Sequence, residues 1–134
     1  MRQILILAMT VFLASFSSCK KDSSDETTNP LIGTWTLESI IDNGVDKTTT
    51  DCDKKSTVVF TDKTATFRPF EISSSTGTCT EIEAHQFNYT YTGGKGSIPG
   101  DSGESGITFV IENGILVLTE VDGNSTVVYK YKKQ

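Results

Sequence analysis

The sequence predicts an all-β protein: a small up-and-down antiparallel β-barrel of about eight strands, preceded by a signal peptide and a flexible tether. Apolar and polar residues alternate along short segments, as they do in half-buried strands. Turn dipeptides such as Asn43-Gly44 and Asn113-Gly114 separate these segments. No segment has a helical period of useful length. Consecutive antiparallel strands can form a meander that closes on itself, which removes its exposed edges.

The N-terminal residues have the pattern of a secretory signal peptide. Arg2 precedes an apolar run over residues 4–16, and two small serines follow it at the cleavage point. The run is shorter than the roughly 20 apolar residues that a transmembrane helix needs. Residues 23–30 carry no large apolar side chain and cannot offset the entropy of ordering. We therefore expect a signal peptide at 1–18, a tether at 19–30 and one folded domain at 31–134.

Two hairpins are predicted in the first half of the folded domain. The first strand covers residues 34–41, and its alternation begins at Trp35, whose large ring can plug one end of a barrel. A turn leads to a more exposed, Thr-rich strand over residues 45–50. Strands over residues 56–60 and 64–70 flank a polar turn and form the second hairpin.

A long strand, a long loop and three further strands are predicted in the second half. Residues 81–92 are the longest strand candidate, but their apolar face switches, and a bulge or bend near His85 would reconcile the two phases. The segment Gly93 to Gly106 contains six glycines and is expected to be a loop, with a lid over the barrel as its candidate role. Strands over residues 107–111, 115–119 and 127–132 complete the series.

Composition and charge narrow the classes of function. The chain of 134 residues has room for one domain with a modest core. Seventeen acidic and twelve basic residues give a net charge of −5. This balance argues against nucleic acid as a partner, because a phosphate backbone demands a basic surface.

The residues that carry chemistry do not form a recognisable active site. His85 is the only histidine, and no nucleophile or acid accompanies it in a catalytic pattern. A zinc site needs three or four ligands, and Asp101 and Glu104 in the glycine-rich loop are interpreted as solvated acids. We therefore expect no enzymatic activity, no cofactor and no metal.

Cys52 and Cys79 lie inside the folded part of the chain. In an exported protein this pair is free to oxidise, and we expect a disulfide that joins the start of one strand to the start of another. Two free thiols or half of a metal site are the alternatives.

Aromatic residues recur along the predicted strands. Such residues fill a core first and form a ligand wall second, and both roles are open here. The candidate lining residues are Trp35, Phe60, Phe67, Phe87, Tyr89, Phe109 and Tyr129.

The junction Ser17-Ser18-Cys19 resembles the lipobox of bacterial lipoproteins, with Phe16 in place of the usual leucine. The resemblance implies a diacylglyceryl group on the Cys19 sulfur, cleavage before Cys19 and a membrane anchor with at least two acyl chains. Lys20-Lys21-Asp22 resembles the export signal of lipoproteins in Bacteroidota-type bacteria, which implies a place in the cell envelope at the outer membrane. The alternatives are a secreted protein with a free Cys19 and, for residues 20–22, a solvated linker.

The Gly33-x-Trp35 start, the up-and-down series of strands and the closing strand that begins at Tyr129 resemble the lipocalin-like domain of small bacterial lipoproteins. In lipocalins a basic residue of the last strand packs over the tryptophan, and Lys130 or Lys132 would do so here. The resemblance implies a barrel that holds a small apolar molecule at its open end. The alternative is an interaction module of the cell envelope whose barrel is filled by its own side chains.

Overall fold

The computed structural model of the chain describes residues 28–100 and 106–134. The strands in these residues are β1 (Gly33–Asp42), β2 (Val45–Lys47), β3 (Thr57–Phe60), β4 (Thr64–Arg68), β5 (Phe70–Ile72), β6 (Cys79–Glu81), β7 (His85–Asn88), β8 (Thr90–Thr92), β9 (Lys95–Ile98), β10 (Ile107–Glu112), β11 (Ile115–Asp122) and β12 (Ser125–Lys133). One turn of 3₁₀ helix, η1 (Asp53–Lys55), precedes β3. The predictions for the signal peptide, Cys19, Asp101 and Glu104 lie outside the described residues.

Ten strands form one sheet in the order β7-β4-β3-β1-β12-β11-β10-β9-β8, with β2 also paired to β1. All its pairings are antiparallel, and β5 and β6 form a separate hairpin. β7 and β8 are the two ends of the order, although only Tyr89 separates them in the chain. They act as one bent strand whose first half pairs with β4 and whose second half pairs with β9. The sheet therefore nearly closes, and the predicted up-and-down barrel with eight strand positions around its wall is confirmed.

Two Asn-Gly turns connect neighbouring strands as predicted. Asn43 and Gly44 have φ values of 50° and 80°, and Asn113 and Gly114 have values of 52° and 78°. Positive φ at both central residues is the type I′ geometry, whose twist matches that of the strands it joins. These turns define the β1–β2 and β10–β11 hairpins.

The segment over residues 81–92 is not one strand. β6 ends at Glu81 and β7 begins at His85, and between them the Ile82 N–H donates a hydrogen bond to the Pro69 carbonyl oxygen at 3.0 Å. The interruption falls where the apolar phase of the sequence switches. From His85 onwards the chain forms the bent β7–β8 strand of the barrel.

The segment over residues 93–106 is also not a loop throughout, because it contains β9. β9 pairs with β8 on one side and with β10 on the other. Gly96 within it is buried under the Phe109 ring, where an added Cβ would lie 1.9 Å from the ring. Gly96 is one of the glycines from which a loop is predicted. It is instead a strand residue where any larger side chain would clash with Phe109. Since β9 runs along the barrel wall, this segment as a whole does not form a lid.

The hydrophobic core is concentrated at one end of the barrel, which we call the closed end. This end contains the start of β1, the end of β12 and the turns that follow β3, β8 and β10. Residues that face each other across neighbouring strands point to the same side of a sheet, and Trp35 is opposite Val58 while Phe60 is opposite Ala65. Phe60 lies 5.2 Å from Tyr89 and 5.4 Å from Phe109 between ring centroids. The interior is filled here by the protein's own side chains.

The segment before β1 covers the closed end. Leu31 is fully buried, and its carbonyl oxygen accepts a hydrogen bond of 2.7 Å from the Trp35 indole N–H. Lys133 Nζ donates to the Pro30 carbonyl oxygen at 2.9 Å and lies 5.3 Å from the Trp35 ring centroid. The tryptophan therefore plugs one end of the barrel, as its position in the sequence predicts.

The basic residue over Trp35 was predicted wrongly. Lys133 occupies this place, because the β1–β12 register sets Lys133 opposite Trp35. Lys130 and Lys132 lie opposite Ser39 and Thr36, in the alternate phase of the strand. The sequence shows the alternation of the last strand but not its register against the first.

Replacing Trp35 by alanine should lower the free energy of unfolding by about 3–5 kcal/mol, because a large ring that is 2% exposed leaves a cavity in a packed core. Urea denaturation of the two proteins measures this difference. Thr34→Ala, at the adjacent position in β1, is the control and should cost less than about 1 kcal/mol. A loss below about 1 kcal/mol for Trp35→Ala would contradict the plug.

Candidate functional site

The structure separates the seven candidate lining residues into two groups. Trp35, Phe60 and Phe109 lie at the closed end with 2% exposure or less, and Tyr89 packs on the two phenylalanines. These four rings form the floor of the barrel. The remaining residues, which are Phe67, Phe87 and Tyr129, face the interior nearer the other end, opposite Val58, Ala65 and Leu118 respectively.

We call that other end the open end. It contains the end of β1, the start of β7, the end of β9, the start of β10 and the β11–β12 turn. The apolar side chains that face inwards here include Ile98, which is 3% exposed, the partly buried Ile40, Phe67, Ile107 and Tyr129, and the exposed Phe87. Phe87 has 39% of its surface exposed. Apart from Ile98, the inward-facing apolar side chains of the open end are therefore less covered than Trp35, Phe60 and Phe109 at the closed end.

The rim of the open end is also apolar. Val45 on β2 is 65% exposed, and Val121 near the end of β11 is 39% exposed. Ile72 and Ile82, which belong to the β5–β6 hairpin and the residue after it, are 53% and 40% exposed. Ile32, at the closed end, is exposed as well. Most of the large exposed apolar side chains thus surround the entrance to the barrel.

The Cys52–Cys79 disulfide is present and lies beside this rim. Its Cα atoms are 5.6 Å apart, and it links the β5–β6 hairpin to the segment before β3. Cys79 begins β6, as predicted, but Cys52 precedes η1 rather than a strand. The reason is local, because the Asp53 carboxylate accepts hydrogen bonds of 2.7 Å from the Thr50 N–H and hydroxyl and favours a helical turn.

Acidic groups lie next to the apolar lining of the open end. The Tyr129 hydroxyl donates a long hydrogen bond of 3.4 Å to Glu120 Oε2. Burial raises the pKa of the Tyr129 hydroxyl, and the negative charges of Glu120 and Asp42 raise it further. Burial also raises the pKa of Tyr131, which lies deeper in the barrel. Both phenols therefore stay protonated at neutral pH and act as neutral hydrogen-bonding groups.

The arrangement of the remaining titratable groups gives no sign of a reaction centre. His85 is exposed on β7, and its ring lies 6.4 Å from that of Phe87. Within residues 28–100 and 106–134, no group of three or more His, Cys, Asp or Glu side chains could hold a metal ion. In the same residues, no helix is long and apolar enough to cross a membrane.

A surface groove lies outside the barrel at the closed end. It is an open groove of about 460 Å³, lined by Asn29, Pro30, Tyr91, Thr92, Gly93 and Gly94. None of the seven candidate lining residues borders it.

A meander barrel with a tryptophan plug at one end and an apolar entrance at the other defines the class of lipocalin-like barrels. The sequence profile of the lipocalin-like domain family matches residues 31–108, which is more than half of the chain. The protein belongs to this family. No curated protein matches the chain.

Several solved structures resemble the chain. A variant of the fluorescent protein UnaG is 15% identical, with a TM-score of 0.44 over 78% of this chain and 96% of that one. Lipid binding protein 8 of Caenorhabditis elegans, in its apo form, is 15% identical, with a TM-score of 0.43 over the same shares. Zebrafish ileal bile acid-binding protein, complexed with cholic acid, is 14% identical, with a TM-score of 0.40 over 78% of this chain and 99% of that one.

Three features of the two ends were not found by sequence reasoning. The sequence predicts Leu31 only as the first residue of the domain, and the structure makes it part of the plug. The basic residue over Trp35 is Lys133 rather than Lys130 or Lys132. The inward position of Glu120 was readable, because Glu120 follows Leu116 and Leu118 in the same alternating phase.

Removing the disulfide with Cys52→Ala and Cys79→Ala together should lower the free energy of unfolding by about 3.5 kcal/mol, the chain-entropy value for a closed loop of this length. The sequence separation that sets this value is 27 residues. Urea denaturation of the oxidised protein and the double variant measures the loss. Alkylation without reductant, followed by peptide mapping, is the complementary assay, and labelling of both cysteines in the folded wild-type protein would refute the bond.

Proposed function

We propose that the protein binds a small apolar molecule in the open end of its barrel. The observation that carries this proposal is the asymmetry between the two ends. Trp35, Phe60 and Phe109 at the closed end are 2% exposed or less, whereas Phe87 at the open end is 39% exposed and Ile40, Phe67, Ile107 and Tyr129 are only partly buried.

Physical chemistry supports a ligand at this place. Each square ångström of apolar surface removed from water contributes about 25 cal/mol. Ile40, Phe67, Ile107 and Tyr129 face the interior and are only partly buried, so they offer such surface, and pockets for apolar molecules are lined mainly by side chains of this kind. At the closed end, in contrast, Trp35, Phe60 and Phe109 are already almost fully buried.

A second candidate function is an interaction module of the cell envelope. The observation that favours it is the exposed rim of Val45, Ile72, Ile82 and Val121, because large apolar side chains that surround one surface are typical of protein contact sites. This function uses the outside of the entrance rather than its interior. Substitutions inside the barrel therefore distinguish the two candidates.

We also propose that the protein is a lipoprotein anchored through Cys19, exported to the outer membrane of a Bacteroidota-type envelope. The lipobox-like junction and the charged residues after it support this proposal. Residues 29–31 pack at the closed end, so a tether from Cys19 would join the barrel at that end. A binding role without catalysis accords with the lack of an acid, base and nucleophile set among the described residues.

Two adjacent isoleucines in β1 provide a matched test. Ile40 faces the interior opposite Tyr129, and Ile41 faces the outside opposite Val128. Ile40→Ser should weaken the binding of the neutral probe N-phenyl-1-naphthylamine about fivefold, equivalent to about 1 kcal/mol of lost apolar contact. Ile41→Ser should leave the affinity within about twofold of the wild type, since a residue outside the barrel does not touch the ligand.

Fluorescence titration of the disulfide-intact protein measures both affinities, and urea denaturation confirms that both variants are folded. Equal effects of the two substitutions would contradict a site inside the barrel and favour the interaction module. Absence of any saturable binding would contradict a ligand-binding function.

A further inference from the structure

The inner face of the open end carries carboxylates as well as apolar groups. Asp42 on β1 and Glu120 on β11 both lie opposite Val127, which lies between them on β12. The adjacent inward-facing pair is Ile40 and Tyr129. Because opposed residues share a face of the sheet, both acids point towards the same interior as the apolar lining.

The two carboxylates differ in how far they are neutralised. Asp42 forms an ion pair of 3.1 Å with Lys47 Nζ and accepts a hydrogen bond from the Asn43 side chain. Glu120 is half-buried and accepts the long hydrogen bond from Tyr129. Within the described parts of the chain, the ion pairs are Lys47–Asp42 and Arg68–Glu81, and neither includes Glu120.

The charged and titratable groups around the lining therefore leave an excess of negative charge. Among the described residues, Lys47 offsets Asp42, and no ion pair includes Glu120. The phenols of Tyr129 and Tyr131 are neutral, and His85 on β7 is a further titratable group whose position faces this interior. A carboxylate ligand placed here would bring like charges together beside half-buried walls, where water and salt screen them less than at an open surface. The net charge of −5 adds repulsion of the same sign.

We infer that the natural ligand is an amphipathic cation, with its apolar body against Ile40 and Ile107 and a protonated amine at the Glu120 carboxylate. This inference rests on the proposed function and specifies its ligand class. Charge complementarity supports it, since an ammonium group supplies the partner that Glu120 lacks and brings hydrogen-bond donors to a carboxylate. Tyr129 then holds the carboxylate from the other side.

Three probes with the same chain and different head groups test the inference. Dodecylamine is protonated at neutral pH, dodecanol is neutral and dodecanoate is an anion. Each is titrated below its aggregation concentration, and displacement of N-phenyl-1-naphthylamine reports its affinity for the disulfide-intact protein. We expect dodecylamine to bind about fivefold more tightly than dodecanol, the upper end of what a solvent-exposed ion pair contributes, and dodecanoate to bind most weakly.

The variant Glu120→Gln tests whether the Glu120 carboxylate causes the preference for dodecylamine, because it keeps the shape of the side chain and removes its charge. The variant should lose most of the preference for dodecylamine and keep its affinity for dodecanol. Glu112→Gln is the matched control, since Glu112 is an exposed acid at the closed end of β10 and its substitution changes the net charge equally. The control should retain the preference.

The outcomes separate the inference from the function on which it rests. If dodecanol binds and dodecylamine has no advantage over dodecanoate, the cationic ligand class is wrong and the apolar site stands. If Glu112→Gln removes as much preference as Glu120→Gln does, the selectivity comes from overall charge and the assignment to Glu120 is wrong. If none of the three probes binds, the proposed ligand-binding function is itself wrong.

Discussion

The Trp35 indole and the chain segment that covers it are the contact on which the rest of the structure depends. The indole N–H is buried, and a buried donor without an acceptor is costly. The Leu31 carbonyl oxygen satisfies it at 2.7 Å, which fixes the segment before β1 across the closed end. Lys133 holds the same segment from the last strand through Pro30. The first and last strands of the meander are thus joined where the barrel closes.

The asymmetry of the barrel follows from this plug. Large rings occupy the inner positions near Trp35, and Gly96 makes room for one of them, so the rings pack closely at the closed end. Towards the open end the inner positions carry the less buried Ile40, Phe67, Phe87, Ile107 and Tyr129, together with two acids. The β5–β6 hairpin forms part of the rim at this end, and the Cys52–Cys79 disulfide links this hairpin to the segment before β3. The barrel therefore has a packed floor at one end. At the other end it has a partly apolar entrance whose inner face carries two carboxylates.

Much of the fold was predictable because its determinants are local. Alternation within β1, β10, β11 and β12 and the type I′ Asn-Gly turns act over a few residues, and both were recognised. The predictions were wrong where contacts between distant parts of the chain, or local hydrogen bonds of side chains, determine the structure. Gly96 is in a strand because Phe109 packs on it, Cys52 precedes a helical turn because Asp53 bonds Thr50, and Lys133 meets Trp35 through a register that no single strand encodes.

The candidate site was predictable in its residue types but not in its location. The seven lining residues all face the interior. Their depth along the barrel determines whether each belongs to the packed floor or lies nearer the open end. Depth depends on the register of every strand pair, and a one-residue shift in register moves each side chain to the other face. The bulge in β1, where the register shifts between Leu37 and Ser39, is such a case: Ile40 rather than Ile41 faces inwards.

Methyl NMR of the protein titrated with dodecanol tests most directly the claim that one end is filled and the other takes the ligand. The account predicts saturable chemical-shift changes at Ile40, Ile107 and Val127, with Leu31 and Leu116 unchanged. Changes centred on Leu31 and Leu116, or changes confined to residues on the outside of the barrel, would contradict it.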